Sequence, residues 1–126
     1  MIDKQFFIVL LAILVMDAIW LGVIAKKGYQ ETIMNVQGSK LKMRIWPLIF
    51  LYPLMAWCIN TFVLKNDSVK KEDKWKYGAL LGLLIYGVYN GTNHAIFNDW
   101  NLETSIKDTL WGPFVIGAAT WFATKM

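Results

Sequence analysis

The sequence has little of what soluble catalytic centres are usually made from. It holds one cysteine, Cys58, and one histidine, His94. A single cysteine excludes an intrachain disulfide, and this one lies inside an apolar block, where a small packing residue is the simpler reading. A single histidine cannot build a metal site by itself. Charge is scarce too: Asp, Glu, Lys and Arg make up only 17% of the chain. There is no phosphate-binding loop, no His-Glu-x-x-His, no Gly-x-Ser-x-Gly and no cysteine pair, which excludes the common soluble mechanisms. Basic residues outnumber acidic ones and give a net charge of +4. They sit in short segments between apolar blocks and form no recognition face, so nucleic acid is excluded as a partner. Lys and Arg so placed face lipid phosphates.

What the sequence has in excess is apolar surface, 56% of its residues. Crossing the hydrocarbon core takes about 20 mostly apolar residues in one helix. Four blocks meet or approach that length, at residues 6–25, 45–64, 77–97 and 106–124. The expected fold is therefore all-α, a four-helix transmembrane bundle forming a single membrane domain over 1–126, with the lipid bilayer as its partner. The first block has some marks of a signal peptide, but its length and Asp17 favour a retained helix. Pro47 falls in a first turn, where a missing N–H is harmless, whereas Pro53 and Pro113 lie deeper and predict bends. Gly78, Gly82 and Gly87 suit close helix approach. Trp46, Trp75, Trp100 and Trp121 fall near block ends, as an aromatic belt requires. Between the first two blocks, residues 26–44 suit a short interfacial helix with Tyr29, Ile33 and Val36 on one face. Thr104 or Ser105 is placed to cap the last helix. Basic residues divide almost evenly between the two sides, and the reading leans to cytoplasmic termini. Sequons at Asn66 and Asn90 lie too close to, or within, the apolar blocks for a glycan.

Ionisable and amide side chains inside such blocks are costly and turn toward the bundle interior. Tyr86, Asn90, Asn93, His94 and Phe97 follow the spacing of one helical face. Asp17, Trp20 and Leu21 share a face with Leu10, Ile13 and Leu14, and Asp108 shares one with Trp111, Gly112 and Val115. The expected result is a buried polar cluster of Asp17, Asn90, Asn93, His94 and Asp108, bordered by Trp20, Tyr86 and Trp111. The string Asp-x-x-Trp occurs at Asp17–Trp20 and again at Asp108–Trp111, each followed closely by glycine, on helices expected to run in opposite directions. That is the form an inverted repeat would take.

Each residue also has a purely architectural reading. Asp17 can fix helix register by accepting hydrogen bonds. Asn90 and Asn93 can bond between helices. His94 fits packing, proton handling or, least well, ligation. Asp108 suits the positive end of a helix. Trp20 and Trp111 read as anchors rather than cofactor stackers, and no cofactor is specified.

The ordered segments Met16-Asp17-Ala18-Ile19-Trp20-Leu21-Gly22, Tyr89-Asn90-Gly91-Thr92-Asn93 and Asp108-Thr109-Leu110-Trp111-Gly112 resemble the DUF2177 family of small predicted membrane proteins. The resemblance spans nearly the whole chain. It implies a multi-helix membrane fold and this choice of polar residues, and it implies no activity. The family pattern has an acid at the position of Asn90, so this chain carries one charge fewer there.

Three functions fit. The cluster binds or conducts a proton, cation or small polar solute, with homo-oligomerisation expected because four short helices leave little room for a pore. It holds helices in register in a structural or assembly subunit. Or it serves an intramembrane enzyme or cofactor protein acting on a lipid-soluble substrate, with Asp17 and His94 as acid–base groups.

Overall fold

A computed structural model describes residues 2–126, which form α-helices and no strand. The chain runs through α1 (Lys4–Ile19), α2 (Lys26–Gln37), α3 (Trp46–Ile59), α4 (Lys74–Ile96) and α5 (Leu102–Lys125). Two of these end in a wider turn. α1 continues as a π-helical turn, Trp20–Ile24, closed by the Ala25 N–H on the Trp20 carbonyl at 2.7 Å. α3 continues likewise through Asn60–Leu64, closed by Lys65 N–H on the Asn60 carbonyl at 2.8 Å. Turns of this kind re-aim the side chains they carry, and Trp20 is one of them.

With these extensions, Lys4–Ile24 and Trp46–Leu64 are long and apolar enough to cross a membrane. α4 and α5 are longer still, at 23 and 24 residues, but each has a polar stretch. α4 begins three residues before the expected block and α5 four, because charged first turns extend both helices. Asn101 caps α5: its Oδ1 accepts from the N–H of Glu103 at 2.8 Å and of Thr104 at 3.3 Å. The expected caps, Thr104 and Ser105, lie inside the first turn instead. The short helix expected within 26–44 is α2, with Tyr29 buried and Ile33 and Val36 half-buried.

α1 and α5 are antiparallel. Gln5 donates to the Ala123 carbonyl at one end, and Trp20 reaches Asp108 at the other. The buried side of α1 carries Phe6, Val9, Ile13, Asp17 and Trp20, rather than the stripe through Leu10 and Leu14; Leu14 is exposed. Phe6, Val9 and Ile13 join Ala56 and Ile59 of α3 and Val115, Ile116 and Ala119 of α5 in one apolar core.

α4 and α5 form an antiparallel hairpin held at backbone distance. A Cβ added at Gly82 would lie 2.1 Å from the Gly112 carbonyl oxygen, and one at Gly78 would lie 2.2 Å from the Thr120 hydroxyl. Gly87 does not share this role, since its Cβ would meet only ordinary contacts. α3 packs on α1 and reaches α4 through its final turn, Asn60–Leu64, so the two diverge toward the Trp46 end.

Large apolar side chains point outward all along the long helices, among them Phe7, Leu11, Phe50, Leu84, Leu110 and Phe114. Trp46, Trp75 and Trp121 are exposed near helix ends. Trp100 is not: it is buried, with its ring edge-on to Tyr89 at 5.9 Å and stacked near Phe97 at 6.2 Å.

Candidate functional site

The buried face of α1 delivers Asp17 and Trp20 to the same level of the bundle at which α5 delivers Asp108 and Trp111. The two Asp-x-x-Trp strings then cross-bond. The Trp20 indole N–H donates to Asp108 Oδ1 at 2.8 Å, and the Trp111 indole N–H donates to Asp17 Oδ1 at 2.8 Å. The indole rings stack between these bonds, with centroids 4.6 Å apart and planes within 6° of parallel. Because the helices are antiparallel and each string has the same spacing, one bond implies the geometry of the other.

The remaining carboxyl oxygens are also bonded. Asp17 Oδ2 accepts from the hydroxyls of Tyr52 at 2.6 Å and Tyr86 at 2.7 Å. Asp108 Oδ2 accepts from the Asn90 amide at 2.5 Å, and the same amide nitrogen donates to the Tyr86 carbonyl at 2.8 Å. Asp17, Asp108 and Asn90 are all buried, Asn90 completely. Hydrogen bonds to a carboxylate are roughly twice as strong as neutral ones. Every donor here is neutral, however. The ion pairs among the described residues are Lys65–Asp3, Lys76–Asp73 and Lys107–Glu103, all away from the cluster.

Six of the eight expected residues therefore come together: Asp17, Trp20, Tyr86, Asn90, Asp108 and Trp111. Asn93 and His94 stay outside. His94 is exposed, its Nδ1 3.1 Å from the Trp100 carbonyl oxygen in the turn after α4. Its helical phase is right, but it lies a turn beyond the Asn90–Asp108 crossing and meets the turn backbone at Trp100 instead. The structure also supplies residues that were not expected, Tyr52 from α3 and Tyr29 from α2. The available signal was a tyrosine inside or beside an apolar block, whose hydroxyl must find a partner when buried. Burial, and then the nearby Asp108, push the Tyr29 phenol above its ordinary range, so its O–H is retained as a donor.

The cluster forms the floor of a pocket of about 520 Å³. Asp17, Asp108, Trp20 and the tyrosines 29, 52, 86 and 89 line its polar part. Leu48 and Leu51 of α3 and Ile85 of α4 line its apolar walls, and Lys26 and Gln30 of α2 contribute at one end. Among the described residues, no group of three or more His, Cys, Asp or Glu is placed to hold a metal ion.

At the opposite end of the bundle a separate polar staple ties the chain's first residues to α3. Asp3 pairs with Lys65 at 2.8 Å and accepts from the Phe6 N–H and the Asn60 amide, each at 3.1 Å. The Lys65 ammonium chiefly holds the Asp3 carboxyl low, at about 2. Lys107 holds the exposed Glu103 below its usual range in the same way.

A family model described as a predicted membrane protein, DUF2177, matches residues 2–125 of this chain. No curated protein and no solved structure matches it.

Proposed function

Since the chain belongs to the DUF2177 family of predicted membrane proteins, we propose that it crosses the bilayer four times and binds a cation or small polar solute at the Asp17–Asp108 cluster. Four crossings are supported by the outward apolar side chains on α1, α3, α4 and α5 and by the lengths of α4 and α5. A helix of such length covers the hydrocarbon core at about 1.5 Å per residue.

The observation that carries the binding reading is a pair of buried carboxyls, held by neutral donors alone, at the floor of an open pocket. Burying carboxylates without an opposite charge is expensive, and several kcal/mol per ion is about the usual penalty. An arriving cation offsets that cost, which is why an intramembrane carboxyl beside a cavity points to a solute or ion path. An architectural role alone requires no cavity at the carboxyls.

The crossed indole bonds favour a second reading, in which the cluster fixes α1 against α5 and does nothing more. A titration separates the two. Trp20 and Trp111 bond the carboxyls directly, so a cation arriving there changes indole emission. Purified protein in detergent micelles is titrated with sodium, potassium and methylammonium. A saturable change in the wild type, absent from Asp17→Asn, supports binding. Flat titrations with a folded wild type leave the architectural reading standing.

A further inference from the structure

We propose that the occupant of the pocket is a hydrophobic organic cation, an amine or onium ion carrying apolar groups, that enters from the lipid side between α3 and α4. The proposal rests on the reading of Asp17 and Asp108 as a solute site and names the class of solute.

Three features select that class. The first is charge. Two carboxyls lie at the floor, and the one cationic side chain lining the pocket is Lys26, which is exposed. An anion would meet two like charges, and a neutral lipid would leave the carboxyls unbalanced.

The second is the lining around the carboxyls. Trp20, Tyr29, Tyr52 and Tyr86 present aromatic surface beside them. Aromatic faces attract cations, and a cage of them favours ammonium groups with bulky substituents over small hydrated ions. A small metal ion would exchange its hydration shell for too few oxygens here, since those of Asp17 and Asp108 already accept from Trp, Tyr and Asn donors. A diffuse organic cation needs no such shell.

The third is shape. About 520 Å³ is the size of a drug-like site and far more than a bare ion fills. The walls contributed by Leu48, Leu51 and Ile85 match apolar substituents. α3 meets α4 through Asn60–Leu64 and diverges from it beyond, which leaves the pocket a flank on the side where acyl chains lie. Leu51 and Tyr89, from facing walls of that gap, are both about half exposed.

The test uses the purified full-length chain in micelles, with tetraphenylphosphonium as probe and tetraphenylborate as its anion of like shape. Indole emission reports binding. The wild type should bind the phosphonium saturably, and the borate at least about tenfold more weakly, the equivalent of about 1.4 kcal/mol. Asp17→Asn should weaken phosphonium binding by a similar factor, with its thermal melt checked in the same micelle. Leu51→Trp fills the gap from a wall and touches no bond of the cluster, so it should weaken the phosphonium and spare any Asp17-dependent response to potassium or methylammonium. Equal binding of phosphonium and borate overturns the proposal, as does phosphonium binding unchanged by Leu51→Trp. If small cations still give an Asp17-dependent response in that event, the broader solute-site reading survives. If no cation gives one, both fall.

Discussion

Replacing each buried aspartate by asparagine should have unequal effects, and the hydrogen-bond geometry says which is worse. At position 17, the Trp111 N–H sits 2.8 Å from one carboxyl oxygen and can only donate, so an asparagine must turn its carbonyl oxygen that way. The amide nitrogen then faces the hydroxyls of Tyr52 and Tyr86, at 2.6 and 2.7 Å from the other oxygen. Hydroxyls rotate and accept as readily as they donate. All the bonds survive Asp17→Asn, with charge assistance lost and a carboxyl burial penalty removed; the net cost is about 1 kcal/mol.

Position 108 has no such freedom. The Trp20 N–H again claims the carbonyl oxygen. The amide nitrogen is left facing the Asn90 nitrogen, which lies 2.5 Å from the present oxygen. Turning Asn90 over would set its oxygen against the Tyr86 carbonyl that its nitrogen now serves at 2.8 Å. Either way one like-with-like contact remains at a buried site, which adds about 1–3 kcal/mol. Thermal unfolding of both variants in one detergent, followed by circular dichroism, checks this. Asp108→Asn should melt clearly below Asp17→Asn. Equal melting points, or the reverse order, would refute the bond assignment.

Gly82→Ala should destabilise the α4–α5 hairpin by at least about 1–3 kcal/mol, because its Cβ meets backbone that cannot swing aside. Gly91→Ala meets nothing within 4 Å and should be neutral or raise the melting temperature slightly; melts of the two side by side are the check. Asn101→Ala should cost about 1 kcal/mol by removing the cap of α5, read from the same melts. Asp3 titrates near 2 when folded against an ordinary 3.8. Its contribution is therefore complete above the higher value and disappears as pH falls through the lower one. Stability measured against pH should show that acid-side loss in the wild type, and Asp3→Asn should lack it.

The sequence made α1 and α5 readable to the level of the site because an Asp and a Trp three apart must share a helical face. It could not say which Asp meets which Trp. The repeat pointed to duplication, and only the antiparallel placement of the two helices turns it into an exchange of bonds. The role of Tyr52 was hidden for a different reason. A tyrosine in an apolar block is equally at home at the membrane interface, and its partner, Asp17, lies on another helix. His94 misled by periodicity: phase along a helix is readable, but which turns of that face a neighbour's side chains cover is not. Trp100 was misread for the same reason, since a tryptophan at a block end can cap the outside of a turn or plug its inside. Gly78 and Gly82 stood out as small residues, while the partner that makes Gly82 necessary, the Gly112 carbonyl, belongs to the next helix.

The exchanged indole bonds also decide which parts of the molecule can shift. A slide of α1 along α5 by one residue, about 1.5 Å, would strain both bonds and the ring stack together, so piston-like travel between these two is blocked. α3 is tethered to the same centre by a single phenol, the Tyr52 hydroxyl on Asp17. Whatever arrives at Asp17 competes with that phenol for the same oxygen. On the proposed solute-site reading, occupancy at the floor therefore acts on the hydroxyl by which α3 holds Asp17.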